Sequence, residues 1–334
     1  SDESASAEPG TGSTSGSSSG STPAGTNFGA VAPNKEDKVT VPDGYDQAVV
    51  IRWGDAVLAG APAFDFDKQT AAAQELQFGF NNDFAGLLPV DGQPNTYLLV
   101  VNHEYSTEPA MFRGYDAENP TEEQFKIGLA SHGLSVVQVK GESDNGKLVP
   151  EIGSNNRRIT GTTEFVVTGP AAGSDFLKTS ADPTGTKVLG TLNNCAGGVT
   201  PWGTWLMAEE NFHGYFSGEL PEGHRETENY KRYGAPGGWY NWGRHHDRFD
   251  VSKEPNEPNR FGWVVEVDPM DPNSVPKKRT ALGRVKHEGA ESVLNKDGRV
   301  VFYCGDDERF DYVYKFVTTG TYKPEDRAAN MDLL

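Results

Sequence analysis

Cysteine is scarce. The 334 residues hold two, Cys195 and Cys304, and neither sits in a CxxC pair. Zinc ribbons, redox dithiols and disulfide frameworks are therefore not indicated, although the count leaves room for one bridge. Long apolar runs are absent too, as is a basic segment followed by an apolar one, so no bilayer span is expected and the mature protein should be soluble. Positive charge is in short supply: 30 Lys and Arg face 48 Asp and Glu, giving a net charge of -18 and a pI near 4.8. A field of that sign repels nucleic-acid backbones and anionic lipid and favours cations. No GxSxG elbow supports a serine hydrolase, and no Walker or Rossmann glycine pattern opens a helix. The acidic clusters do not follow EF-hand spacing either.

What is present falls into two parts. Residues 1–27, rich in Ser, Gly and Thr, lack apolar side chains large enough to offset ordering entropy and are expected to be a disordered linker, such as follows an export signal. Residues 28–334 are expected to form one domain. From about residue 40, short β-branched and aromatic runs alternate with Gly, Pro, Asn and Asp, which is strand punctuation. TYLLVVNHE (96–104), TWLMAEEN (204–211) and RVVFYCGDDE (299–308) each run apolar and stop in acids, and each is followed by a strand without that ending, LSVVQV, WVVEVD or YVYKFV. Such repetition predicts an all-β fold, a β-propeller whose inner strands bring their acidic ends to a shared channel. A β-sandwich with acidic turns is the alternative. Helix is expected only at Asp67–Gln77 and from Thr121, where TEEQ reads as a capping box. The ordered part is short for a closed ring of such units, and a C-terminal portion is expected to be missing.

Three constellations carry chemistry. In Asn193-Asn194-Cys195-Ala196-Gly197-Gly198, small residues flank a thiol and let backbone approach a ligand or metal, and the next strand ends in Glu209-Glu210-Asn211. A thiolate beside carboxylates suits iron; surplus carboxylates suit calcium. The plain alternative makes Cys195 a small core residue. Lys286-His287-Glu288-Gly289-Ala290-Glu291 sets two acids three apart, and Asp306-Asp307-Glu308 ends the following strand; three successive acids repel unless solvated or neutralised by cations. His103 with Glu104, and His287 with Glu288, place histidines beside strand-end acids as ligand-orienting or proton-relaying groups, or as residues satisfied by backbone carbonyls. The Gly/Pro-rich stretch 223–262, with Trp239, Trp242, His245 and His246, is expected to be a loop or lid.

NNCAGGVTPWGTWLMAEENF, KHEGAES and VVFYCGDDERFDYVYKF, supported by NRRITGTTEF and GPAAG, resemble the PhoX family of secreted, calcium-dependent alkaline phosphatases. The resemblance implies a six-bladed propeller around two ferric and two to three calcium ions joined by an oxo bridge, with export in folded form by the twin-arginine route. It implies Cys195 as an iron thiolate and Glu288 as an iron carboxylate. Glu104, Glu209, Glu210, Glu291 and Asp307 become calcium or bridging ligands, and Asn211 a phosphate contact. The expected reaction is metal-assisted hydrolysis of small phosphomonoesters by a periplasmic or extracellular monomer; the metals would offset the acidic field that otherwise repels phosphate. Cys304 is expected to pack within its strand. Two rivals stand beside this reading: a calcium-dependent lactonase or esterase, and a non-catalytic calcium-stabilised binding module.

Overall fold

The computed structural model describes residues 28–142 and 146–334; the expected 1–27 linker lies outside the described residues. The chain divides into two compact units, Ser1–Val49 and Val50–Leu334. In the first, described from Phe28, the backbone forms no strand or helix, and the Phe28 ring meets Tyr45 edge-on at 5.9 Å.

The second unit is built from three sheets. The first contains β1 (Asn82–Pro89), β2 (Thr96–His103), β3 (Gly133–Gly141), β4 (Leu148–Glu151) and β5 (Arg157–Ile159), in the order β1-β2-β3-β4 with β5 also on β3. The second contains β6 (Glu164–Thr168), β7 (Lys187–Leu189), β8 (Asn194–Val199), β9 (Trp205–Glu209), β10 (Val264–Val267) and β11 (Lys277–Arg279), ordered β7-β6-β11-β10-β9-β8. The third contains β12 (His287–Leu294), β13 (Arg299–Asp306) and β14 (Val313–Thr321) in sequence order. Among the strands of the described residues, only β6 and β11 pair in parallel. The fold is thus predominantly β, as expected, and among the described residues no sheet closes on itself.

Each acid-ended run pairs antiparallel with the run after it, β2 with β3, β9 with β10 and β13 with β14. The edge position, however, belongs to the strand before it: β1, β8 and β12 sit at the ends of their sheets. Placing the acid-ended strands innermost was therefore off by one strand. Burial follows from side-chain chemistry. Trp205, Met207, Val265 and Val267 from the second sheet join Leu98, Val100, Leu134 and Val136 from the first in one core. Leu206, Val264, Val300, Phe302 and Cys304 fill the core between the second and third sheets, where Cys304 packs as expected.

The helix expected from Thr121 spans Glu122–Ser131 and carries the capping box: Gln124 N donates to Thr121 Oγ1 and Thr121 N to Gln124 Oε1. The other is only Ala71–Gln74, capped by Thr70. The 223–262 stretch holds one short helix, Thr227–Tyr233, and 3-10 turns. Most of its aromatics are packing groups, since Tyr240, Trp242 and Phe249 are buried, and His245 is bonded to the Pro120 carbonyl at 2.6 Å.

Candidate metal centre

The site grows from one hairpin used three times. In β1–β2, β8–β9 and β12–β13 the first strand carries an extra residue near its start, between Asn82 and Ala85, Asn194 and Gly197, and Glu288 and Glu291. A bulge of this kind re-aims side chains at a strand end. Just past the second strand, the backbone N–H of Glu104, Glu210 and Asp307 donates to the carbonyl of Asn81, Asn193 and Lys286, each at 3.0 Å. The pattern positions Asp83, Cys195 and Glu288 on the first strands and Glu104, Glu210 and Asp307 beyond the second. Asn81 and Asn193 hold φ of 55° and 53°, a left-handed geometry that asparagine tolerates better than most residues.

The hairpins are brought together by close approach at glycine. A Cβ on Gly198 would fall 2.1 Å from the Ala290 carbonyl oxygen of β12, and one on Gly197 2.8 Å from the Phe84 ring of β1 as well as 2.1 Å from the Leu206 carbonyl oxygen of its own hairpin. These glycines therefore admit neighbouring strands, a different task from the ligand approach expected of them. Ser292 Oγ donates to the Val199 carbonyl, and Asn102 Nδ2 to the Cys195 carbonyl at 2.7 Å, tying β12 and β2 to β8.

Six side chains converge. Asp83, Glu104 and Cys195 bring one donor atom each within 4.8 Å of one another, and so do Glu210, Glu288 and Asp307. The groups are joined by Cys195 Sγ, 3.8 Å from Asp83 Oδ2 and 3.7 Å from Glu288 Oε1. Glu104 also shares a hydrogen bond with Glu210. Crowded carboxylates hold protons. Burial, with Asp83 and Glu288 nearby, raises the Glu104 carboxyl to about 7. Burial and Asp307 raise Glu210 to about 8, and Glu288 rises for the same reasons. Burial and the surrounding acids push the Cys195 thiol up as well. Without a cation these donors are thus kept partly neutral, the electrostatic signature of a site that expects positive charge. The donor set fits such ions: one sulfur among hard oxygens.

Other expected ligands lie elsewhere. Glu209 is fully buried; it accepts from Lys278 Nζ and Thr191 Oγ1 at 2.7 Å and from the Gly262 and Trp263 amides at 3.1 Å. Its oxygens are spent on holding the sheet. Glu291 is exposed and belongs to neither donor group. His103 and His287 are buried packing groups. The Gly79 amide donates to His103 Nε2 at 3.3 Å, while His287 Nε2 donates to the Gly283 carbonyl. Burial holds His287 at about 4 and His103 well below its ordinary value. Asn211 flanks the cluster: its Nδ2 donates to Glu210 Oε1 at 2.5 Å, and its amide N–H to Asn193 Oδ1 at 2.7 Å.

Sequence reasoning missed Asp83. The signal lies in the sequence, because Asn81-Asn82-Asp83 repeats Asn193-Asn194-Cys195, but at the head of a hairpin and not at the end of its second strand.

The alkaline phosphatase PhoX family model matches residues 26–334. Among solved structures, Pseudomonas fluorescens PhoX in complex with vanadate, a transition state analogue, is 42% identical with a TM-score of 0.86, covering 92% of this chain and 53% of its own. The chain thus spans about half the length of that relative. No curated protein matches it. With a family model spanning nearly all of the described residues and a solved relative of the same fold at this identity, the chain belongs to the alkaline phosphatase PhoX family.

Proposed function

We propose that this chain contributes the thiolate-bearing half of a metal-dependent phosphomonoesterase site. The observation that carries this reading is the convergence of five carboxylates and one thiol from three equivalent hairpins. Cys195, with Asp83, Glu104 and Glu288 around it, would hold iron, since a thiolate favours it over calcium; Glu210, Asp307 and Glu288 would hold calcium. Two ferric and two to three calcium ions remain the count proposed from the family resemblance. When bound, such ions supply Lewis acidity toward phosphoryl oxygens and a water that ionises near neutral pH.

The protein's own residues then have defined tasks. Glu104 and Glu210 give up their protons as cations enter, so uptake should release acid. Asn211, pinned through its backbone to Asn193, holds a side-chain amide beside the cluster, where it can donate to a phosphoryl oxygen. That the Pseudomonas relative forms a complex with vanadate, a transition state analogue, supports the phosphoryl-transfer reading. Export to the periplasm or medium and a monomeric state belong to the same proposal. Among the described residues no helix is long and apolar enough to cross a membrane.

The test is elemental analysis of the purified chain with hydrolysis of p-nitrophenyl phosphate, in calcium and after chelation. Iron near two per chain with calcium-dependent turnover is expected. Calcium without iron or turnover would instead make the chain a calcium-stabilised binding module, and calcium without iron together with hydrolysis of p-nitrophenyl acetate but not of the phosphate would favour the lactonase or esterase class.

A further inference from the structure

Beside the cluster lies an open cleft of about 390 Å³ that shares Glu104 and Asn211 with it and is otherwise walled mainly by Tyr105, Trp239 and Tyr240. Trp239 is 53% exposed although its segment is firmly held. The Gly237 and Trp239 amides donate to the His213 and Gly214 carbonyls at 2.8 Å, and that of Gly238 to Phe216 at 2.9 Å. One side of the indole lies on Gly214, where a Cβ would come within 2.3 Å of the ring, and His213 meets it edge-on at 4.9 Å. Behind it, Tyr240 donates its hydroxyl to the Ser106 carbonyl at 2.8 Å and stacks on Tyr215 and Trp242 at 5.0 and 4.9 Å.

We propose that this cleft is the leaving-group subsite of the phosphomonoesterase and that it takes esters whose leaving group presents a planar π-face to Trp239. The inference rests on the reading of the cluster as the phosphoryl site. A ring already fixed in place loses little freedom when a ligand stacks on it. Aryl phosphates and nucleoside monophosphates present such a face; glycerol and sugar phosphates do not.

The experiment uses metal-loaded protein and calorimetric titration with inorganic phosphate, phenylphosphonate and propylphosphonate, alongside kcat/KM for AMP and glycerol 2-phosphate. Phenylphosphonate is expected to bind roughly three- to tenfold more tightly than propylphosphonate. Trp239→Ala should collapse that ratio toward one, and Trp239→Phe should keep most of it. A preference for AMP over glycerol 2-phosphate extends the subsite to nucleosides; a gain for the phenyl ligand alone assigns it to aryl groups. Equal binding of both phosphonates by the unaltered protein overturns the stacking inference and leaves the phosphoryl site standing. If inorganic phosphate fails to bind as well, both readings fall.

Discussion

Neighbouring residues on one strand end, Glu209 and Glu210, have opposite fates. Glu209 faces inward and forms a fully buried pair with Lys278. Glu210 faces the acid cluster and is held protonated to about pH 8 by burial and Asp307. Glu209→Ala should therefore lower unfolding free energy by about 3–5 kcal/mol in urea titration, because Lys278 is left buried and unpaired. Glu210→Gln should leave stability nearly unchanged and reduce bound calcium. Equal destabilisation by the two would contradict the split of roles. Cys195 and Asp83 support a companion prediction: Cys195→Ser or Asp83→Asn should lower iron affinity by more than the roughly 10–100-fold that loss of an outer-shell partner costs. Iron content and the visible charge-transfer band report it, and full retention of both would remove these residues from the ligand set.

The element that matters is the bulged hairpin. Its first strand aims a donor from the bulge or, at Glu288, from the residue just before it, a second donor follows its second strand, and a single main-chain bond closes the pair in all three copies. The copies are held together at glycine contacts, so Gly198→Ala should force β12 away from β8. A loss of roughly 1–3 kcal/mol is expected from overpacking. Metal affinity should fall with it, since Glu288 travels on β12 while Cys195 stays on β8. If calcium titration of Gly198→Ala matches the parent while the melting temperature drops, β12 is not what sets the site's geometry.

For the whole molecule, the crowded acids set a pH dependence whose sign is fixed. Glu104 and Glu210, ordinarily near 4.5, sit at about 7 and 8 in the fold, so the metal-free folded state binds more protons than the unfolded chain above 4.5. Their favourable protonation is complete at acid pH and is lost as pH rises through 7 and 8. Buried His132, His213 and His287, held near 4, act oppositely below their unfolded value of 6.5, and Lys278, lowered to about 8, acts oppositely above that pH. The clean window is pH 6.5–8. Across it, stability of chelated protein should fall by roughly 1–2 kcal/mol, after allowance for the solvent that reaches both carboxyls. Saturating calcium should remove the fall. A metal-free stability that rises through the same window would mean that these acids are not crowded.

The sequence alone determined the strand-rich class, the capped helix after Thr121 and a chain that seeks cations, because alternation, turn chemistry and charge are local or additive properties. It also determined the family, because Asn193–Phe212 is a long, unbroken motif. It could not separate Glu209 from Glu210, since which of two adjacent acids turns inward depends on the register of β8 with β9 and on a lysine 69 residues away. Nor could it place Asp83 beside Cys195 across 112 positions, or show that Gly197 and Gly198 serve neighbouring strands. Those assignments arise only when three separate hairpins pack edge to edge. A site made of donors from different sheets has no counterpart in any single stretch of chain.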